Sequence, residues 1–158
     1  LRPMEECALQ PVWDAGLMLV GREQFRVAKK LEAWDTAKLV EWAAGERKNN
    51  EVGLAKLMGA EVAAAALKPP AAVWGPLDHD INAVVLAPDV IVVAEGTHAS
   101  AKSWIPSGWQ IAILDRATGK TLWQAKLPTE PVFDGLCVDR AGRIIVAMVN
   151  GQLACFSK

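Results

Sequence analysis

The stretch that most restricts the fold is Asp115-Arg116-Ala117-Thr118-Gly119-Lys120, set between an apolar run, Ile111 to Leu114, and a second run that opens Thr121-Leu122-Trp123. A carboxylate at the head of such a stretch accepts hydrogen bonds from the backbone just ahead of it, and the glycine supplies the positive φ that a tight reversal needs. The stretch therefore predicts a β-hairpin.

Other parts of the chain repeat this unit. Trp74 and Trp123 lie 49 positions apart, and Val92-Val93-Ala94 is answered 53 positions later by Ile145-Val146-Ala147. A third set is Leu31 to Asp35, Ile111 to Asp115 and Leu153 to Ser157. The period is about 50 residues and four strands, in the range of propeller blades. The expected strands are Gly16 to Gly21, Lys30 to Asp35, Ala71 to Leu77, Ile81 to Leu86, Val90 to Ala94, Trp109 to Leu114, Thr121 to Leu127, Phe133 to Val138, Arg143 to Val149 and Gln152 to Phe156. A polar connection is expected from Arg22, and Asn150-Gly151 between apolar runs is a strong hairpin signal.

After Asp35 the apolar period changes from two to about 3.6. Asp35 or Thr36 can cap a helix with Leu39, Val40 and Ala43 on one face, which Gly45 and Asn49-Asn50 are expected to end. A second helix is expected from about Glu51 to Leu67, with Leu54, Leu57, Met58, Val62 and Ala65 as its apolar stripe and Pro69-Pro70 as its stop. The chain thus divides into a partial blade (1–35), a helical insertion (36–70), the rest of the first blade and one complete blade (71–130), and a last, incomplete blade (131–158).

Ala112, Asp115, Thr118, Gly119, Lys120 and Trp123, with Trp74 and Asp35 at equivalent places in the neighbouring unit, resemble the repeat signature of quinoprotein-like β-propellers. The resemblance implies an all-β partial β-propeller, about two to two and a half four-stranded antiparallel blades with an inserted α-helical hairpin. It implies the C-terminal blades of a longer protein, in a periplasmic or other extracytoplasmic setting, partnered by the rest of its own propeller upstream. Propellers of this kind often close by letting the two chain ends share a blade. Some relatives hold pyrroloquinoline quinone and calcium with a vicinal cysteine pair and a set of Glu, Asn and Asp ligands. This chain has no adjacent cysteines and no recognisable metal loop, so no catalytic, metal or cofactor residue carries over. The expected function is a non-catalytic scaffold or binding module. The alternative is the tail of a quinone-dependent or haem-linked periplasmic oxidoreductase whose reactive residues lie upstream.

At 158 residues and 52% hydrophobic, the chain is long enough for one domain with a substantial core. Its net charge of -1 gives no long-range reason for nucleic acid or an anionic membrane as partner. Lys29-Lys30 and Arg47-Lys48 have acidic neighbours and read as solvated faces. The most apolar stretch, Ile81 to Ala94, is broken by Pro88-Asp89 and is too short for a membrane span. Cys7, Cys137 and Cys155 form no Cys-x-x-Cys pair, and a Cys137–Cys155 disulfide would require their strands to be neighbours.

Few groups offer chemistry. Asp78-His79-Asp80 reads as a polar connection between blades, and His98, near Ser100, Lys102 and Ser103, has no identifiable acid beside it in sequence. Seven tryptophans and no tyrosine ask for a cause. Trp74 and Trp123 are expected to be buried between blades, and Trp42 to dock the insertion on the sheet. Trp104 and Trp109, which flank the Gly96 to Gly108 loop, are the candidates for contacting a ligand or partner. The insertion and that loop are the expected surfaces for a protein partner.

Overall fold

The computed structural model describes residues 12–24, 27–58, 67–99 and 105–157. A short β1 (Val12–Trp13) pairs with β2 (Leu17–Gln24), which pairs in turn with β3 (Val27–Asp35). The Asp14 carboxylate shapes the first turn by accepting the backbone N–H groups of Gly16 at 2.9 Å and Leu17 at 3.0 Å. β2 runs further than its apolar residues indicate, because Gly21↔Leu31, Arg22↔Lys30 and Glu23↔Ala28 continue the ladder through the stretch expected to be a polar connection.

Asp35 ends β3 and caps α1 (Thr36–Leu57), its carboxylate accepting the Lys38 N–H at 3.0 Å. The expected helical hairpin is corrected here: one helix of 22 residues runs through Gly45 and Asn49-Asn50 without a break. A glycine costs a helix only about 1 kcal/mol. At Gly45 it also makes room, since a Cβ there would stand 2.6 Å from Cδ1 of Leu67. The chain after the helix thus returns across that glycine. Of the expected second helix, residues 51–57 belong to α1, and residues 59–66 lie outside the described residues.

The next strands are β4 (Trp74–Leu86), β5 (Val90–Thr97), β6 (Gly108–Asp115) and β7 (Thr121–Leu127). They complete a seven-stranded antiparallel order, β1 to β7 in sequence. A second sheet holds β8 (Pro131–Val138), β9 (Ile144–Met148) and β10 (Leu153–Phe156), with β9 in the middle. β4 belongs to two units. Its residues from Trp74 to Ile81 pair with β3, whereas those from Asp80 to Leu86 pair with β5, with a register shift between Ile81 and Ala83. The connection expected at Asp78-His79-Asp80 is therefore a bent, continuous strand. Three units result: β1-β2-β3 with the first half of β4, the second half of β4 with β5-β6-β7, and β8-β9-β10.

These units stack face to face. One core gathers Leu17, Leu19, Leu31 and Ala33 of the first unit against Ile91, Val93, Ala112 and Leu114 of the second. The other gathers Val92, Ala94 and Ile111 of the second against Ile144 and Val146 of the third. Successive residues of β5 point to opposite faces, so a strand covered on both sides must be apolar throughout. That is why Val90-Ile91-Val92-Val93-Ala94 is unbroken rather than alternating.

One indole fastens the first unit to the second. Trp74 is 8% exposed, and its Nε1–H donates to the backbone carbonyl of Arg116 at 2.8 Å. Its ring lies over Gly119, where a Cβ would stand 2.8 Å from Trp74 Cε3 and from Leu77 Cδ1. Gly119 has φ +70°, so the site excludes a side chain twice, by backbone conformation and by space. The Asp-x-x-Thr-Gly turn is thus both a reversal and a seat for the neighbouring unit's indole.

Trp123 departs from expectation, being 41% exposed with its ring edge-on to Phe156 at 5.7 Å between centroids. Trp74 is the indole whose loss is severe. Trp74→Ala should lower stability by about 3–5 kcal/mol, and Gly119→Ala should cost less in the Trp74→Ala background than alone, because the steric clash is then gone. Urea denaturation of the two single variants and the double variant measures this, and strictly additive costs would deny the contact.

Candidate functional site

The connections between strands gather at two ends of the stacked sheets. At one end sit the turns Asp14-Ala15-Gly16, Pro88-Asp89 and Asp115 to Lys120. Asp115 closes its own turn, accepting the Thr118 N–H at 2.8 Å and the Thr118 hydroxyl at 2.6 Å, and Lys120 N–H donates to Thr118 Oγ1 at 3.4 Å. The Thr118 hydroxyl is the main reason that the Asp115 carboxyl lies below its ordinary value, with the backbone N–H groups of Thr118 and Ala117 adding to it. Ala112, fully buried in the first core, packs the strand that delivers Asp115. Asp35 plays the matching part at the end of β3, except that the N–H it accepts opens a helix.

Arg116, which the sequence does not single out, joins the three turns. Its guanidinium donates to the Ala87 carbonyl at 2.9 Å and to Asp14 Oδ1 at 2.7 Å, 102 positions away in sequence. An open cleft beside it is lined by Leu17, Val73, Pro88, Asp89 and Asp115. The hydrogen bond from Arg116, followed by those from Gly16 and Leu17, holds the Asp14 carboxyl well below the usual carboxylate range, and Asp14 in turn raises the Arg116 pKa. The third unit carries a smaller version, with Asp139 accepting from Ala141 and Arg143 and lowered chiefly by Arg143.

At the other end, the start of the second half of β4 meets the end of β5. Asp80, its side chain 2% exposed, lies 2.7 Å through Oδ2 from Nε2 of His98. The acid that sequence could not find for His98 is therefore Asp80, on the neighbouring strand where Asp80 pairs with Gly96. Asp80 Oδ1 and His98 Nδ1 are buried with no hydrogen-bond partner among the described residues. Gln110 Nε2–H donates to buried Glu95 at 2.7 Å in the next cross-strand position. The dyad joins β4 to the end of β5 across the strands, where the 98–107 loop begins.

Trp109 is half-buried on the second core, opposite Leu127 and Gly96. Trp104, Ser100, Lys102 and Ser103 lie outside the described residues, as do Cys7 and the side chains of Asp78 and His79. Trp42 is half-buried, its Nε1 without a partner among the described residues, and α1 meets the sheets at β3. Cys137 and Cys155 are exposed free thiols, one on either side of Ile145, so the middle strand β9 separates them. Among the described residues no three carboxylate, imidazole or thiol groups come together as a metal would need, and no helix is long and apolar enough to cross a membrane. A scan of protein-family models finds none that matches the chain, and a search of curated proteins likewise finds no match.

Two outcomes follow from the ends of the sheets. The folded carboxyls of Asp14, Asp115 and Asp139 lose their protons more readily than unfolded ones, so the unfolded state takes up more protons as pH falls. Stability should be level above about pH 5 and decline as pH drops below the ordinary aspartate value of 3.8, and Asp14→Asn should flatten part of that decline. Urea midpoints across pH 7 to about 3 measure it. His98→Ala should cost about 1–3 kcal/mol or more by stranding the buried Asp80 carboxylate, and the double change Asp80→Leu with His98→Leu should cost less. Equal costs for the two would mean that the pairing contributes nothing.

Proposed function

We propose that this chain is a segment of a quinoprotein-like β-propeller that serves as a scaffold or binding module. The observation that carries the reading is the seat of Trp74, a tryptophan at the start of one unit's last strand whose ring covers the Thr-Gly turn of the next unit and whose N–H meets a turn carbonyl. Stacked units of this sort bury a continuous core only through their neighbours. Further support comes from the first strands of successive units. β1 lies beside β4 and β4 beside β8, and Asn82 Nδ2–H donates to the Pro131 carbonyl at 2.7 Å.

The binding role draws on what the units leave exposed. α1 presents Val40 and Leu57 to solvent, with Met58 just after it, and the third unit presents Val149 and Leu153. The remaining blades are the first partner on this reading, and a protein reaching α1 or the 98–107 loop is the second. The polar clusters at both ends are spent on turns and strand pairing: Asp115 on its own turn, Asp14 and Arg116 on three turns, Asp80 on His98.

The test is chemical. Pyrroloquinoline quinone with calcium, added to the full-length protein, should neither quench tryptophan emission nor support dye reduction beyond that of the free quinone. Quenching together with dye reduction would overturn the non-catalytic reading in favour of a quinone-dependent oxidoreductase.

A further inference from the structure

The turn between β9 and β10 contains a reactive pair that neither the stacking of the units nor the polar ends of the sheets employ. Asn150-Gly151 is the single Asn-Gly step in the sequence, and both residues are exposed. A glycine has no Cβ to crowd its own backbone nitrogen, which leaves that nitrogen free to approach the side-chain amide before it. The other asparagines, Asn49, Asn50 and Asn82, are followed by Asn50, Glu51 and Ala83, which all carry a Cβ.

The turn does not need an asparagine to form. In the turn before it, Gly142 N–H donates to the Asp139 carbonyl and Asp139 N–H to the Arg143 carbonyl, both at 3.0 Å. Gly151 N–H likewise donates to the Met148 carbonyl at 2.9 Å, and Met148 N–H to the Gln152 carbonyl at 3.0 Å. The two glycines have φ +77° and +82°. Ala141 thus stands where Asn150 stands, and the same loop closes around it.

In the closed turn both reacting groups are occupied. Asn150 Nδ2–H donates to Gln152 Oε1 at 2.9 Å, and Asn150 Oδ1 accepts the Gln152 N–H at 3.1 Å. The Gly151 nitrogen keeps its proton against the Met148 carbonyl. A backbone amide held in this way gives up its proton to base only when its hydrogen bond opens.

We infer that Asn150-Gly151 is a site of spontaneous deamidation, kept latent by the closed β9–β10 turn. When the turn opens, the Gly151 nitrogen loses its proton to hydroxide and attacks Asn150 Cγ. The Cγ–Nδ2 bond breaks, Nδ2 takes a proton from water and leaves as ammonia, and a succinimide ring remains. Water then adds to one of the two ring carbonyls and the ring C–N bond breaks there, giving aspartate or isoaspartate. One water is consumed and one ammonia released, and either product adds a negative charge to the net -1 of the chain.

The full-length protein, incubated at mildly alkaline pH beside a free peptide copying residues 147–153, provides the test. Peptide mapping by mass spectrometry reads the gain from replacing –NH2 by –OH at each asparagine. Asn150 should convert in the protein ahead of Asn49, Asn50 and Asn82, and about tenfold or more slowly than in the peptide. Gln152→Ala should speed that conversion about fivefold, the effect of losing one hydrogen bond to the amide, and the same change in the peptide should leave its rate as it was. Asp14→Asn, on the first unit, should leave the rate in the protein unaltered, with circular dichroism confirming that both protein variants fold. Conversion in the protein as fast as in the peptide, none by about a hundred peptide half-lives, or equal rates for Gln152→Ala and Asp14→Asn would overturn the inference.

Discussion

The structure depends on a middle unit that is buried on both faces. A sheet has only two faces, and once β5 packs Ile91 and Val93 one way and Val92 and Ala94 the other, neither neighbour can leave without exposing a full apolar surface. Burial of this kind is non-directional and would tolerate sliding. The Trp74 seat removes that freedom, because an indole N–H bonded to one carbonyl and a ring resting on one glycine fix the first unit's position on the second. Arg116 adds a second fixed point 102 positions from its partner Asp14, using the same turn that receives the indole. A single hairpin turn therefore carries packing, hydrogen-bond and charge contacts between units at once.

The ends of the sheets use polar residues differently. Around Arg116 the Asp14 and Asp115 carboxylates are satisfied by backbone N–H groups, a hydroxyl or a guanidinium, an arrangement that shapes turns. Around Asp80 the carboxylate is buried, its partner is an imidazole, and one oxygen has no bond among the described residues. Burying a charge-capable pair is expensive unless the pairing is held in place. Here the two strands that carry the groups, β4 and β5, are held by the cores on either side of them.

Much of the sheet order was legible because its signals are local. Asp115, Thr118 and Gly119 define a turn by their own hydrogen bonds and φ, Asn150-Gly151 defines another, and the apolar run of β5 announces burial on both faces. The helix was misread for an equally physical reason. Gly45 looks like an end in sequence, whereas its role is to let Leu67 approach, a contact across 22 positions that no local rule contains. The dyad was missed on the same grounds: Asp80 and His98 are 18 positions apart and meet only because a register shift in β4 brings Asp80 opposite Gly96. Arg116 carried no signal, since its value lies in two partners on distant turns.

What the sequence determined by itself is the repeating unit: strands of a given length, turns of a given type, and an indole, Trp74 or Trp123, at the same place in the first two units. Those properties reside in short stretches, where side-chain size, backbone conformation and carboxylate reach act over a few residues. The tertiary structure alone decided which of the repeated features were used. Trp74 is seated and Trp123 is 41% exposed, though both stand at the same place in the repeat, because the seat of Trp74 is the β6–β7 turn of the next unit, which only the stacking of the units brings to it.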